Sequence, residues 1–143
     1  SALYGERCIS RRVGQIFIEN ALFGKKISIN GLGEEKLDFT YIQDLIQGIT
    51  KSILNEKAYN QIFNITYGNG RRILDLIEIL KKNFNKIDVE FKDRSKLVPV
   101  RGTLSNLKSQ ELLDYKSEWS LEKGYQKYID WYKNFFNKNF DVN

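Results

Sequence analysis

Gly31-Leu32-Gly33-Glu34-Glu35-Lys36-Leu37-Asp38-Phe39-Thr40-Tyr41-Ile42-Gln43-Asp44 is the stretch whose reading decides the fold. Its two glycines bend the backbone through angles that other residues avoid. A short extended run follows, and a helix is predicted to open at Thr40. Thr40 with Gln43 fits a capping box, in which the hydroxyl takes a free helix N–H and the glutamine side chain reaches back.

The pattern extends in both directions. Val13, Phe17, Ile18, Ala21 and Leu22 recur at helical spacing, and Gly24 is placed to end that helix in a left-handed conformation. Lys26 to Asn30 alternates as a short strand leading into the glycine turn. Downstream, Leu45, Ile46, Ile49, Ile53 and Leu54 form a second amphipathic stripe. Ile62 to Thr66 reads as a strand halted by Gly68-Asn69-Gly70, and Ile73, Leu76, Ile77 and Leu80 mark a third helix. Val89 to Phe91 is a short strand. Ser105 is placed to cap a brief helix through Leu113, and Ser120 to cap the last helix, whose inner face carries Tyr125, Tyr128, Ile129, Tyr132 and Phe136. This order predicts an α/β fold with a few short strands and five or so helices. So few strands cannot make a doubly wound sheet covered on both faces, and Ile62 to Thr66 calls for a parallel neighbour that the pattern does not offer.

Composition narrows the chemistry. A chain of 143 residues fits one compact domain or one lobe of a larger one, and 41% hydrophobic residues supply an ample core. The single cysteine, Cys8, excludes an internal disulfide and any cysteine-cluster metal site. With no histidine, imidazole base catalysis is excluded, and carboxylates, Lys, Arg or Tyr must carry any chemistry. The net charge of +5 is spread among interleaved lysines and acids, and the densest basic spot, Arg11-Arg12, is small, so nucleic-acid binding is disfavoured. No apolar run is long enough to span a bilayer and no signal peptide is visible, which predicts a cytoplasmic setting without membrane contact. Ser1 followed at once by the strand-like Ala2-Leu3-Tyr4 gives the expectation that the chain begins mid-protein. Residues 1–136 are expected to form the folded unit and 137–143 a polar tail.

The residues also resemble a known family. From Tyr4 to about Phe136 the chain is similar to the C-terminal part of the extended short-chain dehydrogenase/reductases, the NAD-dependent nucleotide-sugar epimerases and dehydratases. Tyr4-Gly5-Glu6-Arg7 is similar to the family's Tyr-Gly-Pro-Arg segment, with Glu6 in place of proline. Gly31-Leu32-Gly33 and Leu37 to Asp44 resemble its Gly-x-Gly, Arg-Asp-Phe and Tyr-Val-Asp-Asp run. Phe63-Asn64-Ile65 with Gly68 and Gly70 resembles its Phe-Asn-Ile-Gly-x-Gly strand and turn. Leu112 to Tyr115, Ser120 to Gly124 and Trp131-Tyr132 match its closing helices.

The resemblance implies a substrate-binding lobe that grips a nucleotide-diphosphate sugar for a Rossmann half holding NAD(P). The family's glycine-rich dinucleotide turn has no counterpart here, and none of the eight tyrosines has lysine four residues later, so the chain alone is expected to bind no cofactor and to be inactive. Carried over by position, Arg12 and Val13 fall where the family's first helix begins beside the nucleotide. Ser28 and Asn30 fall on the strand along the base, and Phe39 where an aromatic ring borders the nucleotide; Val13 and Phe39 fit a core role equally well. The family's phosphate-gripping arginine falls at Leu37, so Arg101 and then Arg12 are expected to take the diphosphate instead, since guanidinium is the strongest partner for such an anion. Lys36, adjacent to Leu37 on a strand, is expected to point the other way. Asp38 and Asp44 read as structural carboxylates, and Gly68-Asn69-Gly70 as a turn with anion binding as the lesser alternative. Two further readings stay open: a standalone nucleotide-binding or protein-interaction module, and a basic RNA-binding relative of the same fold. An isolated lobe is also expected to expose the apolar surface that meets the Rossmann half and to self-associate through it.

Overall fold

The computed structural model describes residues 1–94, 99 and 101–140. Among these residues six short strands pair two by two. β1 (Ala2–Tyr4) runs parallel to β4 (Phe39–Tyr41), with Ala2 opposite Phe39 and Tyr4 opposite Tyr41. β2 (Ile27–Asn30) runs parallel to β6 (Val89–Lys92), and β3 (Lys36–Leu37) antiparallel to β5 (Arg71–Arg72). Around them lie α1 (Val13–Leu22), α2 (Ile42–Ile53), α3 (Ile73–Asn83), α4 (Leu107–Leu113) and α5 (Leu121–Phe140). The α/β class and the five helices agree with expectation. The pairs β1/β4 and β3/β5 are too short to leave a period in the sequence, which is why more strands form than the pattern announces.

The core lies where α1, α3 and α5 close over β1, β2 and β4. Ile18, Ile27, Leu76, Leu80, Leu121 and Ile129 are fully buried there, together with Tyr41, Tyr125 and Tyr128. Buried tyrosines must place their hydroxyls. Tyr125 donates to the Gly14 carbonyl at 2.8 Å, and Tyr41 to both Glu6 carboxylate oxygens at 2.7 Å. Burial and the Glu6 charge together push the Tyr41 phenol well above its ordinary range.

Several local expectations are corrected. Thr40 does not cap α2: it sits inside β4, 1% exposed, and its hydroxyl oxygen accepts the Tyr67 N–H at 3.1 Å, so α2 starts only after an extended Tyr41. Asn106, not Ser105, stands at the N-cap of α4. Gly24 does end α1 at φ +61°, and Ser120 Oγ does accept a first-turn N–H of α5, from Lys123 at 3.3 Å.

Ile62 to Thr66 forms no ladder. Its carbonyls are taken instead by side chains from the α4 region: Lys108 Nζ on Ile62, Ser109 Oγ on Asn64, and Asn106 Nδ2 with Tyr115 OH on Thr66, at 2.9–3.1 Å. Side-chain donors thus supply what a neighbouring strand would give. The α2 stripe is likewise turned around. The helix buries Asp44 and Gly48 while Ile46, Ile49 and Ile53 face outward. Asp44 accepts the N–H groups of Glu118 and Trp119 at 2.9 and 3.2 Å, and a Cβ at Gly48 would overlap Ile65. The polar, small face is therefore the one this core needs.

Asp75 fixes the entry to α3. Its carboxylate accepts the Arg72 N–H at 3.1 Å, Arg71 Nε at 2.9 Å and Arg72 Nε at 3.0 Å. Burial works against the charge, but these arginine bonds outweigh it and hold the carboxyl below its ordinary range. A lowered folded pKa adds stability that is present above the usual carboxylate range and is lost as pH falls through the folded value. Asp75→Asn is expected to cost about 1–2 kcal/mol at neutral pH, with the gap from wild type closing in acid; urea melts at a series of pH values check this.

Candidate functional site

The glycine turn and the start of α3 build one wall of a cavity. Gly31 and Gly33 adopt φ +76° and +77°, and a Cβ on Gly33 would come within 2.8 Å of Leu74 Cγ. That close approach lets the first N–H groups of α3 bond the loop: Leu74 N donates to Gly33 O and Ile73 N to Glu35 O, both at 3.1 Å. The loop carrying Glu35 is thereby fixed against α3.

Opposite stands the N-terminus of α1, where Arg12 is the extended cap residue and Val13 opens the helix. Between these walls is a cavity of about 310 Å³, lined by Arg12, Val13, Asn30, Glu35, Lys36, Leu37 and Arg101 together with Ser1, Ala2, Ile73 and Pro99. A second cavity of about 140 Å³ adjoins it, lined by Ser28, Phe17 and Ile29 and sharing Val13, Asn30, Glu35 and Ile73 with the first. A third, of about 220 Å³, lies on the other side of Arg12, against Glu6, Arg7 and Cys8.

Of the residues singled out in the sequence, Arg12, Val13, Asn30 and Arg101 meet at the larger cavity and Ser28 lies in the smaller one. Ser28 Oγ is engaged by Glu90, and that bond together with Lys92 holds the Glu90 carboxyl below its ordinary range. Phe39 lines none of these cavities. Its ring is 3% exposed and packs edge-on against Tyr4 at 6.4 Å. Lys36 lines the larger cavity beside Leu37, contrary to the expectation from strand alternation, because β3 is only two residues long and sits at the cavity rim. Neither Lys36, next to Leu37, nor Glu35, two residues before it, carries any further signal in the sequence.

Ion pairing separates the cations of this region. Arg71 is bonded to Asp75 and Glu122, Arg72 to Asp75 and Glu34, and Arg94 to Glu35. Hydrogen bonding to Glu122 and Asp75 raises the Arg71 guanidinium above its already high range. Arg12, Lys36 and Arg101 have no acidic partner among the described residues, so an arriving anion meets charge that no described acid neutralises. The Gly68-Asn69-Gly70 turn is different. The Gly68 N–H is given to Asp38 and the Gly70 N–H to Thr103, which leaves the lesser, anion-binding alternative no free glycine amide there. Gly31 and Gly33 lead into β3 rather than a helix, so these residues do not fit a dinucleotide pyrophosphate, which needs a helix N-terminus behind its glycines. Among the described residues no group of acids and cysteine is spaced to hold a metal, and no helix is long and apolar enough to cross a membrane.

Residues 1–66 match the model of the NAD dependent epimerase/dehydratase family. A UDP-glucuronate 4-epimerase of Thermodesulfobacterium geofontis is 32% identical over 122 residues, covering 76% of this chain and 34% of its own length. The Thermotoga maritima UDP-glucose 4-epimerase, solved with UDP-glucose, superposes at a TM-score of 0.85 with 28% identity, over 94% of this chain and 44% of that one.

This chain belongs to the NAD-dependent epimerase/dehydratase family.

The Bacillus cereus UDP-glucuronic acid 4-epimerase, solved with UDP-glucuronic acid and NAD, agrees at a TM-score of 0.86 and 28% identity over 94% of this chain and 43% of that one. The chain thus spans less than half the length of the epimerases it matches.

Proposed function

We propose that this chain is the substrate-gripping part of an NAD-dependent nucleotide-sugar epimerase or dehydratase, and that the 310 Å³ cavity receives the diphosphate. The observation that carries the reading is the convergence of Arg12, Lys36 and Arg101, none of them neutralised by a described acid, on one cavity of a family member. Arg101 and Arg12 grip the two phosphates, Val13 and Asn30 line the path of the nucleoside, and Ser28 borders the base. Phe39 supports β4 from behind rather than touching ligand. Leu37 forgoes the charge that the family pattern places there, and Lys36 beside it supplies a replacement. The chain lacks the tyrosine-lysine pair of the family and does no redox chemistry alone; NAD is held by a partner half, which completes an isomerase or lyase. Titration calorimetry with UDP, GDP and their sugar conjugates tests this: the conjugates are expected to bind, more weakly as salt rises, and uridine not at all. A chain that ignores every nucleoside diphosphate is instead an interaction module built on the same fold.

That partner half meets the outward face of α2. Ile46, Ile49, Ile53, Tyr59 and Ile62 are all exposed, with Ile53 at 73% and Ile62 at 88%. Ile49, Ile53 and Tyr59 also line a shallow cavity of about 360 Å³ with Phe63 and Ile65. So large a patch associates when left uncovered. The chain is expected to self-associate with rising concentration in sedimentation velocity, and Ile49→Glu with Ile53→Glu to abolish this while leaving the melting temperature within a few degrees.

A further inference from the structure

We propose that the hydrogen bond between Tyr41 and Glu6 latches the loop joining β1 to α1 and thereby positions Arg12 at the diphosphate cavity. The positioning of Arg12 rests on the nucleotide-diphosphate reading above; the latch itself does not. Glu6 stands where the family pattern has proline. A proline ring fixes φ without help. Glutamate gives no such restraint, and here its carboxylate supplies one by accepting the Tyr41 hydroxyl at 2.7 Å on both oxygens.

The loop needs holding. Among the described residues no backbone-to-backbone hydrogen bond ties down residues 5–11. Arg7 and Arg11 sit at φ +62° and +46°, a region that residues with a side chain disfavour. Side chains fasten the two ends instead. At one end is Tyr41, fully buried in β4, its ring centroid 4.7 Å from that of Trp119 and 5.5 Å from that of Tyr4. At the other, buried Gln15 accepts the Arg11 N–H at 3.1 Å through Oε1 and donates from Nε2 to Glu19 at 2.8 Å.

Arg12 depends on this loop. It lines the diphosphate cavity on one side and the cavity of about 220 Å³ on the other, and Glu6, Arg7, Cys8 and Ser10 wall the second. With the latch made, the loop stands behind Arg12 and limits where the guanidinium can go. A long side chain without such backing has many rotamers, and ordering it on binding costs affinity. Releasing Glu6 removes the backing while buried Phe17 and Ile18 keep α1 in place. By linkage, the factor that an open loop costs in affinity is also the factor by which bound ligand disfavours opening.

Cys8, the only cysteine, lies on the loop, partly buried against the core, and reports its opening. Its alkylation by iodoacetamide is followed by intact mass on the whole chain, in native buffer and along a urea series below the melting midpoint. Tyr41→Phe and Glu6→Ala are each expected to speed it by about tenfold or more, because each removes a hydrogen bond to a charged group. The double variant should be no faster than the faster single, since both break one bond. Glu6→Gln keeps an acceptor and should lie between wild type and Glu6→Ala. An unchanged rate in both singles overturns the latch, and so does a rise that carries the urea dependence of the whole-chain melt. Calorimetry with UDP, GDP, ADP and CDP tests the positioning of Arg12. Whichever binds is expected to bind Tyr41→Phe about three- to tenfold more weakly, and to slow Cys8 alkylation in wild type. Equal affinity for wild type and Tyr41→Phe overturns the positioning and leaves the latch. Failure of all four to bind wild type overturns the diphosphate reading and the positioning with it, while the Cys8 rates still decide the latch.

Discussion

Replacing Arg12 and Arg101 together by alanine is expected to weaken nucleoside-diphosphate binding by roughly a hundredfold or more. Each guanidinium can make charge-assisted bonds to phosphate oxygens, worth about 1.5–3 kcal/mol apiece, and every 1.4 kcal/mol or so is a decade of affinity. The two come from distant parts of the chain, Arg12 at the start of α1 and Arg101 beyond Pro99, and both line the same cavity. Neither has an ion-pair partner among the described residues, so their loss should leave the melting temperature nearly unchanged. That separates a ligand role from a structural one. Arg71→Ala provides the contrast: it breaks bonds to Asp75 and Glu122 and is expected to lower stability without touching affinity. Because both cavity arginines act on one anion, their single effects should not simply add, and Lys36 should take up part of the charge when either is lost. Fluorescence or calorimetric titration of the two singles and the double measures this. An Arg101→Ala variant that binds as wild type does, with Arg12→Ala equally silent, removes the diphosphate from this cavity.

What the sequence made legible follows from where a residue's neighbours lie. α1, α3 and α5 face a core built from this chain, so their apolar periods coincide with burial: Phe17 and Ile18, Leu76 and Leu80, Tyr125 and Ile129 are all inside. α2 carries an equally clear stripe, yet Ile46, Ile49 and Ile53 turn outward and the buried face holds Asp44 and Gly48. A period identifies a helix but not the body that covers it. Ile62 to Thr66 has strand composition, and its backbone is satisfied by Asn106, Ser109 and Tyr115, a solution that needs residues some forty positions away and leaves no local trace. Thr40 reads as a cap by residue type alone, but burial beside the Tyr67 amide decides its partner. At the cavity, Arg12, Val13 and Asn30 are legible through family resemblance and Arg101 through its charge, in place of the arginine missing at Leu37, and none through spacing, since no periodicity connects them. Lys36 escaped because alternation presumes a strand long enough to have two faces. Glu35 escaped because a glutamate beside a turn looks like any solvated charge until both cavities are seen to share it.

The close packing around Gly124 yields a prediction with a built-in rescue. Gly124 lies in the first turns of α5, where Tyr4 and Tyr41 press against the helix backbone. A Cβ there would overlap the Tyr4 hydroxyl and sit 3.1 Å from Tyr41 Cγ and 3.2 Å from Tyr4 Cζ. Alanine gains about 1 kcal/mol of intrinsic helix preference over glycine, but forcing an extra carbon into a filled core costs about 1–3 kcal/mol, occasionally more. Both tyrosines belong to the buried cluster and cannot swing into solvent: Tyr4 is 5% exposed, and Tyr41 is fully buried and bonded to Glu6. A contact so far inside van der Waals distance puts the cost near the upper end, about 2–3 kcal/mol, so the clash prevails and Gly124→Ala is expected to lower stability by about 1–2 kcal/mol net. The Tyr4 hydroxyl is itself buried without a hydrogen-bond partner among the described residues, and burial drives its phenol far above the ordinary range. Removing an unsatisfied buried hydroxyl costs nothing that a made bond would, so Tyr4→Phe alone is expected to be neutral or stabilising. In the double variant the space vacated by the oxygen is the space the new methyl needs. Tyr4→Phe should then recover most of what Gly124→Ala loses, a coupling of about 1–2 kcal/mol in a denaturation cycle. Strictly additive single effects would mean that the helix shifts away from β1 instead, and that the tyrosine cluster is looser than its ring contacts imply.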